Sequence, residues 1–186
     1  QFEIMRSQSR ANIMQTALEL FAHQGYHNTS IAQIAKAAGI SKGLLYNYFE
    51  SKEELLKRIV FESMAVGDEI MESGLTEQQD PKKQLRHIIE STFAWVRSNR
   101  DYWKLLTALS FQIESIEGIA DLARTKADTM IAQTEDLLSR MGYDNVKMEA
   151  LALGGLLDGV MLQYLHLGDQ YPFEAMKDHL IEKYCS

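Results

Sequence analysis

The residues whose types and spacing could do chemistry lie together in the run Ser41-Lys42-Gly43-Leu44-Leu45-Tyr46-Asn47-Tyr48-Phe49. Read as a short helix from about Ser41 to Tyr48, opened by Ser41 as its cap, the run sorts into two faces. With 3.6 residues per turn, Phe49 and Ser41 lie near Leu45 and face inward. Gly43 and Asn47 fall about 160° and 200° away, on the opposite side. Leu44 and Tyr46 flank them, and Lys42 stands near the N-terminal edge. Eight residues make a rod of about 12 Å, which fits across a B-DNA major groove of about 12 Å. Gly43 lets the backbone approach base edges. Asn47 offers the donor and acceptor that suit adenine, and Leu44 can meet a thymine methyl. Lys42, Tyr46, Tyr48 and Lys52 supply charge and hydroxyls for the flanking phosphates.

Reactive chemistry finds little support elsewhere. The five histidines (His23, His27, His87, His166, His179) form no His-Glu-x-x-His, and none follows a glutamate by three residues as a di-iron bundle requires. His23 and His27 are four apart, but Gly25 between them ends a helix. No P-loop and no Gly-x-Gly-x-x-Gly is present. The single cysteine, Cys185, has no histidine close in sequence. No catalytic residue, metal or cofactor is expected.

The elements that position the run are all helical. The chain of 186 residues has two prolines, and apolar residues recur at helical spacing rather than in alternation. Met14, Ala17, Leu18 and Phe21 mark a first helix that stops at Gly25, with Tyr26 placed for the apolar contact of a Schellman stop. Ser30 and Gln33 have capping-box spacing and open a second helix, whose inner face is Ile31, Ile34, Ala35 and Ala38. Gly39 ends it, so the second and third helices form a helix-turn-helix with Ile40 as its plug. Ser51 to Glu54 is another capping box, opening a long helix to about Ser73 and a polar loop over 74–80. Helices are expected at about 81–98, 101–113, 118–141, 145–167 and 172–184.

Charge divides the chain in two. Net charge is −7, which alone speaks against nucleic acid, yet residues 1–58 carry +2 and residues 59–186 carry −9. One cysteine argues for a reducing compartment, and the longest apolar run, Ala150 to Leu157, is too short to span a bilayer. The N-terminal residues lack a signal-peptide layout. A cytoplasmic protein with no membrane partner is expected.

Residues 6–66 resemble the DNA-binding domain of the TetR family of transcriptional regulators. The likeness rests on Ala17-Leu18-Glu19-Leu20-Phe21, Gly25-Tyr26, Thr29-Ser30-Ile31, Ile34-Ala35, Ala38-Gly39-Ile40-Ser41-Lys42-Gly43, Leu45-Tyr46-Asn47-Tyr48-Phe49 and Ser51-Lys52-Glu53-Glu54-Leu55. It implies an all-α fold, with a three-helix DNA-binding domain over 6–66 whose motif spans 30–49. Residues 67–186 would form a helical effector-binding and dimerisation domain. It further implies a homodimer on double-stranded operator DNA, a small-molecule effector, and DNA contacts from the motif's residues, Thr29, Ser30 and Ser41 included. Where the family often places Thr and His, this chain has Leu44 and Asn47.

The helix at 145–167 is apolar on nearly all sides, which suggests that a second subunit covers one face. Gly155 and Gly159 would let another backbone approach, with Leu162 beside them. Phe173, Met176 and Leu180 of the last helix would complete a four-helix interface. Asp158 interrupts this apolar run and needs a partner or an effector. Ile88, Phe93, Trp103, Leu106, Phe111, Met130 and Thr134 could line an apolar effector pocket, though the same stripe serves any helical core. The reading is a ligand-responsive repressor released by a small, largely apolar effector. The alternative is a helical small-molecule carrier or enzyme keeping the domain as scaffold.

Overall fold

A computed structural model of the chain describes the backbone of residues 2–77, 80–110 and 119–186, and the side chains of residues 8–75, 80–109 and 119–186. The fold is all-α, and no strand occurs among the described residues. In chain order the helices are α1 (Phe2–Gln24), α2 (Ile31–Ala37), α3 (Lys42–Tyr46), α4 (Lys52–Glu77), α5 (Pro81–Ser98), α6 (Arg100–Ser110), α7 (Ile119–Arg140), α8 (Val146–Leu167) and α9 (Phe173–Cys185). They gather into two compact units. The first holds α1, α2, α3, α4 as far as Ser63, and α6 from Asp101; the second holds α4 from Met64, α5, α7, α8 and α9.

Local signals explain the first unit. Gly25 takes φ 87° after α1, and Tyr26 packs edge-on against Phe21 with ring centroids 5.2 Å apart. Ser30 accepts from the Gln33 amide while Gln33 accepts from the Ser30 amide at 2.7 Å, the reciprocal box its spacing foretells. Gly39 takes φ 70°, a left-handed turn that a Cβ would strain. α2 therefore stops and α3 starts across it. Ile13, Ala17, Phe21, Ile34, Leu45, Phe49, Leu55 and Leu56 are all buried in the first unit. Each of the seven larger side chains is worth roughly 2–5 kcal/mol against truncation to alanine, so the orientation of α3 is fixed by its neighbours and not by its own five residues.

Two expected helix limits are corrected. The third helix spans five residues, about 7.5 Å rather than 12 Å. Its spiral continues, since the amides of Asn47, Tyr48 and Phe49 still donate back to Leu44 and Leu45. α4 does not stop at Ser73 but runs to Glu77. Gly74 is no breaker: a Cβ there would lie 2.5 Å from Ile88 Cγ1, so the bare backbone is what lets α5 approach. Gln84 on α5 then donates to the Leu75 carbonyl at 2.7 Å and accepts from Arg140 of α7 at 2.8 Å. Gly74→Val should therefore overpack this junction and cost about 1–3 kcal/mol, read as a lower denaturation midpoint with native helix content retained.

The rest of the second unit packs α9 on α5 and α8. Phe173 stacks on Tyr164 at 4.0 Å between ring centroids and leans on Phe93 at 4.5 Å. Within Val146–Gln170 an 18-residue window reaches a mean hydropathy of 1.3, a length and composition that core helices of soluble proteins share with membrane spans. The expected eight-residue run, Ala150 to Leu157, lies inside this longer apolar helix, and one such helix is no evidence of a membrane span. Its inner residues Ala150, Leu153, Val160, Met161 and Tyr164 are buried within the protein.

Candidate nucleic-acid interface

The turn after α2 and the turn before α4 hold α3 with one face out. Ser41 accepts from the Leu44 amide at 3.1 Å, capping α3, while Leu45 and Phe49 are buried. Ser41 itself is exposed, not inward as the wheel implied, because a capping residue sits outside the helical path. Lys42, Gly43, Leu44, Tyr46 and Asn47 all reach solvent, and Tyr48 is half-buried. No atom lies within 4 Å of a Cβ built on Gly43, so that stretch of backbone is open. The Lys42 ammonium rides over the Tyr46 ring at 5.8 Å. The outward face thus presents bare backbone, an amide side chain, an apolar tip and a cation at its edge.

Gly39-Ile40-Ser41-Lys42-Gly43 also has the Gly-x-Ser-x-Gly spacing of a hydrolase nucleophile elbow. That chemistry needs the serine on a strand-to-helix turn. Here it follows a helix, and its oxygen is an N-cap acceptor.

Beside α3 lies an open recess of about 390 Å³, walled by residues 27–32, Lys42, Tyr46 and Lys52. His27 and Asn28 belong to this wall and escaped the sequence reading; their signal is position, immediately before the α2 cap. Two expected contacts fare differently. Thr29 is only 1% exposed, and its hydroxyl donates to the Gly25 carbonyl at 2.8 Å and accepts from Gln24 at 3.1 Å. It is an internal brace, so its expected DNA contact is withdrawn. Lys52 spends its ammonium on the carbonyls of Tyr26 and Thr29, both at 2.8 Å. Burial there lowers its pKa from the usual lysine value. Ser30 is exposed, its oxygen shared between the Gln33 amide and side chain.

The residues expected at an effector pocket do not assemble into one described cavity. In the second unit Ile88 packs with Met71 and Leu137, and Phe93 is enclosed beside Phe173. Met130 is 49% exposed, and Thr134 donates to its carbonyl within α7. Asp158 stands on the exposed side of α8, where desolvation raises its carboxyl above the ordinary value. Trp103 and Leu106 are half-buried on α6 in the first unit, and Phe111 lies outside the described residues. Among the described residues no group of three or more His, Cys, Asp or Glu is placed to hold a metal.

The residues expected at a subunit interface divide as well. Gly155, Gly159 and Leu162 lie on the exposed side of α8, together with Met148, Leu151 and Leu167. Phe173 and Leu180 are buried within the second unit and Met176 is half-buried. The inward stripe of α9 is thus core of its own subunit, and that part of the expected interface is corrected.

Comparison with known proteins agrees with this architecture. Residues 13–59 match the family described as bacterial regulatory proteins, tetR family. The chain is 30% identical over 105 residues to the fatty acid metabolism regulator protein of Bacillus subtilis, a match covering 56% of this chain and 54% of that protein. The chain therefore spans about half the length of that curated relative. A TetR-like transcriptional regulator from Rhodococcus sp. RHA1 superimposes with a TM-score of 0.81 at 25% identity, over 95% of this chain and 93% of that one. The regulator FadR from Bacillus subtilis, solved in complex with stearoyl-CoA, superimposes with a TM-score of 0.72 at 22% identity, over 95% and 97%. That last likeness speaks for the fold alone. Residues 13–59 thus carry the DNA-binding domain of the tetR family, and along nearly its whole length the chain is similar to TetR-like transcriptional regulators.

Proposed function

We propose that this chain is a cytoplasmic, homodimeric repressor that binds double-stranded operator DNA and is released by a small, largely apolar effector. The observation that carries the reading is the outward face of α3. Gly43, Leu44, Tyr46 and Asn47 are exposed opposite the buried Leu45, at groove-reading positions with Lys42 at the phosphate edge. The local charge agrees: the N-terminal 58 residues are net positive in a chain that is otherwise acidic. The dimer is supported by the uncovered apolar face of α8. The effector class is supported by the relative that regulates fatty acid metabolism and by the structural neighbour that holds stearoyl-CoA.

A mobility-shift assay against genomic fragments tests the DNA reading. Saturable, salt-sensitive retention of particular fragments is expected, and no retention at low salt would sink it. Mass spectrometry of small molecules carried through purification tests the effector reading, with an acyl-chain compound as the expected result. Lys42→Ala should weaken binding to every sequence about equally and lower the log–log salt slope by roughly one unit per ammonium removed. An unchanged slope would mean that Lys42 does not reach the phosphates.

A further inference from the structure

We infer that Lys52 is a positioning residue, which acts on DNA through the loop before α2 and not by touching phosphate itself. The inference rests for its consequence on the DNA-binding reading, and it concerns how the recess beside α3 keeps its shape.

The loop from Tyr26 to Thr29 joins α1 to α2 and ends on the residue before the Ser30 cap. On the α1 side it is held by Thr29 Oγ1 donating to the Gly25 carbonyl, by Gln24 donating to Thr29, by Asn28 donating to the Gln24 carbonyl at 3.0 Å, and by the Phe21–Tyr26 ring contact. On the α4 side the tie is the Lys52 ammonium. It donates to the Tyr26 carbonyl and to the Thr29 carbonyl, at the two ends of the loop, and lies 4.3 Å from the Tyr26 ring centroid. Two of its three protons are therefore committed, and an aromatic face shields one side.

A lysine that serves a phosphate must have donors to give it, and two of the three donors of Lys52 are taken by carbonyls. Lys52 is held by two charge-assisted bonds of good length, which are the strong kind. Its site on the first residue of α4 fixes what it links. One covalent step beyond Thr29 stands Ser30, whose oxygen and amide make the reciprocal cap of α2. Residues 27–32 then form one wall of the recess that Lys42 and Tyr46 face. The ammonium thus sets where α2 begins relative to α4, and with it the spacing between the α2 end and the edge of α3.

Hydrogen exchange in the DNA-free, full-length protein decides the matter. The amides of Thr29, Ser30, Gln33 and Ile34 are hydrogen-bonded around the cap, while those of Leu45 and Phe49 report on α3. In Lys52→Met the first group should exchange about tenfold faster or more, with Leu45 and Phe49 unchanged, and Lys52→Arg should restore most of the protection. Binding to a random-sequence duplex should weaken about tenfold in Lys52→Met, with the salt slope altered by less than about half a unit per ammonium removed. Unchanged exchange in Lys52→Met, with the slope lower by about one unit per ammonium, would make Lys52 a phosphate contact and overturn the inference. Acceleration shared equally by Leu45 and Phe49 would overturn it too, as a general loss of stability. A wild type that binds no duplex would sink the DNA-binding reading alone, since the exchange comparison needs no DNA.

Discussion

Gly155→Arg is expected to leave a folded monomer whose affinity for a duplex with two half-sites is lower by roughly two to four orders of magnitude, the gain that linking two modules brings. The argument begins with α8, which is apolar on both sides yet buried on one. Met148, Leu151, Leu162 and Leu167 are between 41% and 50% exposed, a row of large apolar side chains that a lone soluble chain rarely displays. Gly155 and Gly159 lie one turn apart on the same exposed side, and a Cβ at either meets nothing within 4 Å. An arginine at 155 therefore fits the isolated subunit without a clash. Replacing a helical glycine also favours the helix, by up to about 1 kcal/mol. Whatever the substitution removes must come from outside the subunit. A two-fold axis through this face would bring the glycines of both copies together, and there a guanidinium would be buried without a partner. Sedimentation of wild type and variant, with circular dichroism as the folding control, checks the expectation. A wild type that sediments as a monomer at micromolar concentration would remove the dimer from the proposal.

The caps and stops of this chain could be read before any coordinates, because they are local. Ser30 with Gln33, Ser41, Gly25 and Gly39 act within a few residues of themselves, and each takes the role its spacing foretells. Tertiary partners were not legible. Gly74 reads as a helix stop, yet it serves the approach of Ile88 from another helix, and sequence spacing carries no trace of that. Thr29 and Lys52 are polar residues beside a DNA-facing motif, so solvent and phosphate are their natural partners on paper. In the fold both answer backbone carbonyls, which have no side-chain signature. The stripe of α9 shows that Phe173 and Leu180 are buried but not against what, and the answer is their own subunit. Residue 66, where the resemblance ends, falls inside α4. α6 groups with the first unit although it lies far along the chain, an arrangement that no boundary drawn on the sequence can express.

Discrimination between bases should reside in Gly43 and Asn47, and two substitutions separate their roles. Gly43 has open space around its missing side chain, so Gly43→Val costs the fold little beyond the stiffness of a branched residue in a helix. Its bulk would hold α3 off the groove floor. Affinity for operator should then fall about tenfold or more, while affinity for random DNA, which rests on phosphate contacts, changes far less. Asn47 ends α3 with φ −73° and ψ −16°, its amide bonded back to Leu44 and Leu45, so its backbone is fixed and its side chain is exposed. From that position the carboxamide can pair with the two groups an adenine shows in the major groove. Asn47→Ala should cost roughly 1–3 kcal/mol and relax preference at one base pair per half-site. In a two-fold dimer the relaxed position must occur twice, symmetrically about the operator centre. The variant keeps the same charge and the same helix, so its salt slope should match that of wild type. Selection of bound sequences from a random pool, wild type beside Asn47→Ala, reads all of this at once. Identical consensus sites from the two proteins would show that Asn47 faces solvent or a phosphate, and the outward face assigned to α3 would then have to be turned.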